Sequence, residues 1–231
     1  MRRPITAAAA VLSCATALAA PAPALAAPEA DPLEAANHRV HAFNRAAQAH
    51  VLGPVAELYR ARTSPGFRRG VGNALANLGE PVTALSGLAA GELGVAANAA
   101  RRFAINTALG WGGVRDRAAE MGHVPRPFAP ADALCAWGVP RGPFLVLPLL
   151  GPSTLRDAGA AAAAGAALSQ AIGPDAWLAW SAGDALHAYA ELHPELERIE
   201  AQSLDPYAVL RSAHLQRRAA ACPVDRPADE E

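Results

Sequence analysis

Twenty prolines and nineteen glycines divide this 231-residue chain into short pieces, and that punctuation limits what it can build. Each proline removes a backbone donor and fixes φ, and each glycine offers an easy exit from a helix. After the N-terminus no segment has the ~20 apolar residues needed to cross about 30 Å of hydrocarbon. The longest, Ala158 to Ile172, would reach about 22 Å at roughly 1.5 Å per residue. Within the pieces the apolar residues are largely alanine, aromatics are 5%, and Val, Ile and Thr form no alternating runs. The expectation is an all-α single domain of short amphipathic helices joined by Gly/Pro-rich loops.

A formal net charge of −1 supplies no basic field for a nucleic-acid backbone, so nucleic acid is set aside as a partner. The N-terminus reads as an export signal over residues 1–26: a basic start, an apolar stretch from Ile5 to Ala20, and the cleavage pattern Ala24-Leu25-Ala26. Lipoprotein processing at Val11-Leu12-Ser13-Cys14 is the other route, with Cys14 as the lipidated residue. Cys135 and Cys222 remain after cleavage at Ala26 and are able to pair in an oxidising compartment; their spacing gives no metal site.

Asp31-Pro32-Leu33-Glu34 reads as a helix start, with Asp31 capping and Glu34 placed to reach back. Leu33, Ala36, Val40, Phe43, Ala47 and Val51 then form a stripe, with Asn37, Asn44 and Arg45 away from it. Gly53-Pro54 is expected to end this helix, Pro65-Gly66 the next. Further helices are expected over 67–78, 80–91 and 92–108, the last closed by Gly110. Prolines make 122–152 an extended or looped region with at most short helices. Thr154 to Asp157 is a helix start followed by a small-residue helix. Pro174 opens a longer helix with an interruption near Pro194, and Asp205-Pro206 opens a last one. The domain is placed at 27–220, with 221–231 a disordered acidic tail.

The segment from Pro143 to Leu150 is apolar, too short to span a bilayer and broken by Pro148. It fits either a core loop or a surface lying in one leaflet, and pattern alone leaves an ordinary soluble helical domain as the simpler alternative. Chemistry is sparse. His38, His41 and His50 lack acidic or Cys companions for a metal, Ser153 sits in no nucleophile motif, and no phosphate loop exists. We expect no metal, no cofactor and no enzymatic activity.

Five stretches together resemble one family, the outer-membrane phospholipid transporters MlaA or VacJ: DPLEAANHRVHAFN (31–44), NLGEPVTALSGLAAGE (77–92), RFAINTALGWGGVRD (102–116), WGVPRGPFLVLPLLGPSTLRD (137–157) and SLDPYAVLRSAHLQRRA (203–219). The resemblance implies a ring-like helical body in the inner leaflet of the outer membrane, on its periplasmic face, in a Gram-negative envelope. It would remove misplaced phospholipid from the outer leaflet through an amphipathic channel. Implied partners are phospholipid, a periplasmic MlaC-like lipid shuttle and a trimeric outer-membrane porin; a porin-binding envelope adaptor that moves no lipid is the alternative.

Lipid or channel contacts are then expected at Phe43, Leu145, Val146, Leu147, Leu149, Leu150 and Arg156. Structural roles within the family motifs fall to Asp31, Pro32, Leu33, Glu34 and Asn44 in the first block and to Glu80 and Pro81 in the second. In the third they fall to Arg102, Phe103, Asn106, Gly110, Gly112, Gly113 and Asp116. The fourth contributes Trp137, Gly138, Gly142, Pro143, Pro148, Gly151, Ser153 and Asp157, and the fifth Asp205, Pro206, Tyr207, Arg211, Gln216 and Arg217.

Overall fold

A computed structural model describes residues 31–225. The export signal at 1–26, Cys14 with its possible lipid, and residues 226–231 lie outside the described residues. Nearly everything between is helical: α1 (Glu34–Ala47), a π-helical turn (Gln48–Leu52), α2 (Gly53–Arg62), α3 (Pro65–Ala89), α4 (Leu93–Leu109), α5 (Arg117–Glu120) and α6 (Pro130–Ala136). An antiparallel hairpin, β1 (Phe144–Leu147) with β2 (Gly151–Thr154), precedes α7 (Leu155–Ile172), α8 (Pro174–Gln202), α9 (Pro206–Ala221) and a 3₁₀ turn (Pro223–Asp225). The all-α expectation holds, and no described helix is long and apolar enough to cross a membrane.

Several expected boundaries are absent, and proline chemistry explains two of them. Gly53-Pro54 does not end the first helix. The chain widens into the π turn, whose closing bond runs from the Gly53 N–H to the Gln48 carbonyl. That wider turn accommodates Pro54, which has no N–H to give. Pro194 does not interrupt α8 either. It leaves the carbonyl of Ala190, four residues earlier, without its intrahelical donor, and Arg60 of α2 donates to that oxygen at 3.0 Å. The two expected helices at 67–78 and 80–91 are one, α3, with Pro81 inside it.

Helix entries follow the sequence more closely. Thr154 accepts from the Asp157 N–H and Asp205 from the Ala208 N–H, each closing a first turn. Asp31 accepts from the Leu33 N–H at 3.1 Å, but α1 proper begins at Glu34, so Leu33 and not Asp31 holds the cap position. Glu34 does not reach back; its carboxylate faces His38 at 3.7 Å.

The proline-rich 122–152 region contains the hairpin rather than loops and helices alone. Phe144 pairs with Thr154 and Leu147 with Gly151, so Pro148, Leu149 and Leu150 form the tip. Leu149 takes φ 63°, unusual for a residue with a branched side chain. Two asparagines of α1 hold this geometry. Asn37 donates to the Phe144 carbonyl (3.1 Å) and accepts from the Val146 N–H (2.9 Å). Two turns on, Asn44 donates to the Leu147 carbonyl (2.9 Å) and accepts from the Leu149 N–H (2.7 Å). The amide side chains thus act as a third strand on the free edge of β1.

Removing either asparagine strands two backbone groups. Asn44→Ala is therefore expected to cost about 1–3 kcal/mol and to speed hydrogen exchange at Leu149 selectively. Unchanged exchange at Leu149 in the folded variant would show that the clamp does not hold the tip.

The folded body extends past Ala220, to Asp225. Cys222 and Asp225 are buried, and Cys222 forms a disulfide with Cys135 of α6, Cα to Cα 6.0 Å. Residues 221–225 therefore belong to the folded body and correct the expected disordered tail over that stretch. The bond closes a loop across a sequence separation of 87, which restricts the unfolded chain and secures the segment after α9 against α6.

Candidate functional site

The distribution of polar and apolar side chains departs from that of a water-soluble bundle. Among the described residues the buried apolar side chains are mostly alanine, including Ala56, Ala96, Ala99, Ala118 and Ala190, while Asn37, Asn44, Asn77, Glu80, Arg102, Asn106 and Arg156 are buried beside them. The large apolar residues are outside: Leu78, Leu85 and Leu88 on α3, Leu93 and Leu109 around α4, Leu178, Leu186 and Leu192 on α8. The α1 stripe follows suit, with Leu33, Phe43 and Val51 exposed and only Val40 packed inward.

Leaving a leucine in water forfeits about 1.5–3 kcal/mol relative to burying it. A fold that hides arginine and exposes leucine this often is suited to an apolar medium around it.

Three buried polar hubs replace a large apolar core. In the first, Arg102 of α4 donates to Glu80 of α3 at 2.5 Å, to both carboxylate oxygens of Asp116 at 3.2 Å, and to the His123 carbonyl at 2.7 Å. Asn106 donates to Asp116 and accepts from the Ala118 N–H, so α3, α4 and α5 meet on one guanidinium. Gly110 and Gly113 permit this closeness. A Cβ on Gly110 would lie 2.2 Å from the Arg115 carbonyl, and one on Gly113 would lie 2.5 Å from the Asn77 side chain. Burial raises the Asp116 carboxyl, but hydrogen bonds from Arg102, Asn106 and the Ala119 N–H outweigh it and leave it below its ordinary value. Beside this hub lies a cavity of about 280 Å³, lined by Asn73, Glu80, Thr83, Arg102, Asp116 and Arg126 among others.

The second hub joins the start of α1 to α9. Tyr207 of α9 donates to Asp31 at 2.5 Å, and Asn37 donates to the same carboxylate. Burial and that bond to Asp31 raise the Tyr207 hydroxyl well above its ordinary value, so it stays protonated. Phe144 and Val146 pack against Tyr207 with Val40 and Leu215, and Arg211 lies over the Phe144 ring at 5.7 Å. In the third hub Arg156 of α7 forms a two-pronged pair with Asp225 (3.0 and 2.7 Å) and a further bond to Asp157.

These hubs revise the expected lipid contacts. Val146 is in the core cluster, because alternation along β1 turns Phe144 and Val146 inward together. Arg156 is sequestered by Asp225 and Asp157 and has no face toward lipid. Phe43, Leu149 and Leu150 are exposed, and Leu145 and Leu147 are half-buried.

Ten of the residues assigned structural roles meet in the hubs: Asp31, Asn44 and Tyr207 with the hairpin, Glu80, Arg102, Asn106, Gly110, Gly113 and Asp116 around the guanidinium, and Asp157 beside Arg156. Others stand apart. Trp137 is exposed, its indole donating to the Ala89 carbonyl at 2.9 Å, and Phe103, Gln216 and Arg217 lie on the surface. Ser153 is buried in β2, its hydroxyl 3.4 Å from the Thr154 carbonyl. The sequence reading missed the inward role of Asn37 and the pairing of Asp225. Asn37 and Asn44, seven apart, carried a signal, since that spacing repeats one helix face.

The same architecture is found in known proteins. The family model described as MlaA lipoprotein matches residues 29–221. The intermembrane phospholipid transport system lipoprotein MlaA of Escherichia coli (strain K12) is 32% identical over 198 residues, covering 81% of this chain and 76% of its own length. That of Shigella flexneri is likewise 32% identical, over 197 residues. The chain spans about half the length, 51%, of a Rickettsia felis protein to which it is 33% identical over 127 residues. A chain solved in work on the structural basis for maintenance of bacterial outer membrane lipid asymmetry superposes with a TM-score of 0.70 at 28% identity, covering 84% of this chain and 99% of that one. With a family match across the whole helical body and the fold reproduced in a solved relative, the chain belongs to the MlaA lipoprotein family.

Proposed function

We propose that this protein moves phospholipid within the outer membrane, sitting in the inner leaflet and withdrawing misplaced phospholipid from the outer leaflet through an amphipathic path. The supporting observation is the exposure of many large leucines while Asn, Arg and Glu side chains are buried inside. The outward leucines would rest among acyl chains, and helices of which none is long and apolar enough to cross a membrane would lie in one leaflet, about half of the roughly 30 Å hydrocarbon. Polar surfaces such as the cavity beside Arg102 would accompany a headgroup through a low-dielectric surrounding. Nothing in this scheme requires bond making. Delivery to a periplasmic MlaC-like shuttle and attachment to a trimeric porin complete the proposal, on the strength of the family.

The test is complementation of a deletion strain that accumulates outer-leaflet phospholipid. The wild-type chain should restore asymmetry; restored membrane localisation without restored asymmetry would instead indicate an adaptor. Leu150, 70% exposed at the hairpin tip, supplies the paired variant. On a water-facing surface Leu150→Arg should change stability by less than about 0.5 kcal/mol. Among acyl chains the same charge costs up to about 2.5–3.5 kcal/mol. We expect a folded Leu150→Arg protein with reduced membrane retention and poor rescue, and full retention with full rescue would remove the tip from the lipid-contact surface.

A further inference from the structure

A second cluster of side chains lies away from these hubs, where α2 meets α8. Glu57 comes from α2, and His193 and Glu197 come from α8, four residues apart and hence on one helix face. Their ligand-type atoms all lie within 4.8 Å of one another. His193 is 7% exposed, and its Nε2 is buried without a hydrogen-bond partner. The carboxylates of Glu197 and Glu57 approach Nε2 only to 3.6 and 3.8 Å. All three residues line a cleft of about 510 Å³ that also includes Tyr189, Gly53 and Pro54.

We propose that Glu57, His193 and Glu197 bind a divalent transition-metal ion of the zinc class and so fasten α2 to α8. One imidazole and two carboxylates are a donor set such ions accept, with ligand distances of about 2.0–2.2 Å. Atoms at that distance from one centre stand at most about 4.4 Å apart, so the glutamates need shift only slightly. Both can shift, since their side chains are 69% and 63% exposed.

The imidazole is already oriented for the task. Tyr189 lies 3.2 Å from Nδ1, and a bond from the Nδ1 proton to that hydroxyl leaves the lone pair of Nε2 facing the carboxylates. Gly53 makes room for the ring, because a Cβ there would lie 3.2 Å from the His193 Cε1. The π turn just before Gly53 sets the direction in which α2 carries Glu57. A lone pair facing two carboxylates is an unfavourable arrangement that a bound cation resolves.

The competing explanation is that a proton on Nε2 alone neutralises the cluster. Calorimetric titration of the full mature chain in non-ionic detergent with Zn²⁺, and separately with Mn²⁺, separates the two. We expect one Zn²⁺ per chain, with affinity lowered about 100-fold in His193→Gln and at least about 10-fold in Glu197→Gln, where one ligand of three is lost. His38→Gln with His41→Gln should leave binding unchanged. Circular dichroism verifies folding, and if His193→Gln does not fold, the exposed Glu197 carries the test. Absence of saturable Zn²⁺ and Mn²⁺ binding by the wild-type chain, or wild-type affinity in folded Glu197→Gln, would overturn the proposal.

Discussion

Arg102→Ala is expected to destabilise the folded body by about 3–5 kcal/mol, because it leaves Glu80 and Asp116 as buried or half-buried carboxylates facing an unfilled space. The guanidinium side chain is 4% exposed and supplies bonds to three chain segments at once, so neither solvent nor a neighbouring cation can replace it cheaply. Arg102→Lys should recover only part of the loss, since an ammonium cannot reproduce the fork to Asp116. Denaturant unfolding in detergent measures both variants. A loss below about 1 kcal/mol in Arg102→Ala would mean that the hub orders the helices without stabilising them.

The same hub carries a pH dependence of known sign. Asp116 has a folded pKa below its ordinary value of 3.8, so its contribution is fully present above that value and is lost as pH falls through the lower folded value. His214 adds in the same direction over a higher range. Burial, then Arg217, lower it to about 4 from 6.5, so it contributes above pH 6.5 and the contribution falls away toward pH 4.

Arg156→Ala should be comparably damaging, again by about 3–5 kcal/mol, because the Asp225 side chain is 0% exposed and would lose the two-pronged guanidinium pairing that offsets its burial. This pair and the Cys135–Cys222 disulfide together hold residues 222–225 to α6 and α7. The single Asp225→Asn change keeps the shape and removes the charge, and it should cost less than Arg156→Ala. Thermal unfolding with the disulfide intact and then reduced distinguishes the two restraints. If reduction alone abolishes the Arg156→Ala effect, the ion pair acts only through the disulfide-held geometry.

What could be read beforehand divides along physical lines. Helix starts at Thr154 and Asp205 were legible because a cap is a local device: one side chain, one N–H, three residues apart. Helix ends at Pro54 and Pro194 misled, because a π turn carries the chain past Pro54 and Arg60, 130 residues from Ala190, donates to the carbonyl that Pro194 leaves unpaired, and neither is visible locally. Periodicity in α1 was correct, yet it cannot say which face turns inward. A leucine stripe suits a protein core and an acyl chain equally. Asn37 and Asn44 decide the matter only once the hairpin backbone lies against them. The hairpin was hidden for the converse reason: Pro148 sits at its tip, where no ladder bond is needed.

The most direct test of the lipid-facing exterior replaces Leu85, Leu88 or Leu150, one at a time, with cysteine carrying a fluorophore. Val40 and Leu215, which pack against the core cluster, receive the same label. Each protein is reconstituted in bilayers containing lipids brominated along the acyl chain. Leu85 and Leu150, 65% and 70% exposed, should be quenched strongly by the bromines and weakly by an aqueous quencher, with Leu88 behaving alike. The Val40 and Leu215 labels should be less sensitive to both. Strong aqueous quenching at Leu85, Leu88 and Leu150, without response to brominated lipid, would contradict a body that turns its leucines to the membrane.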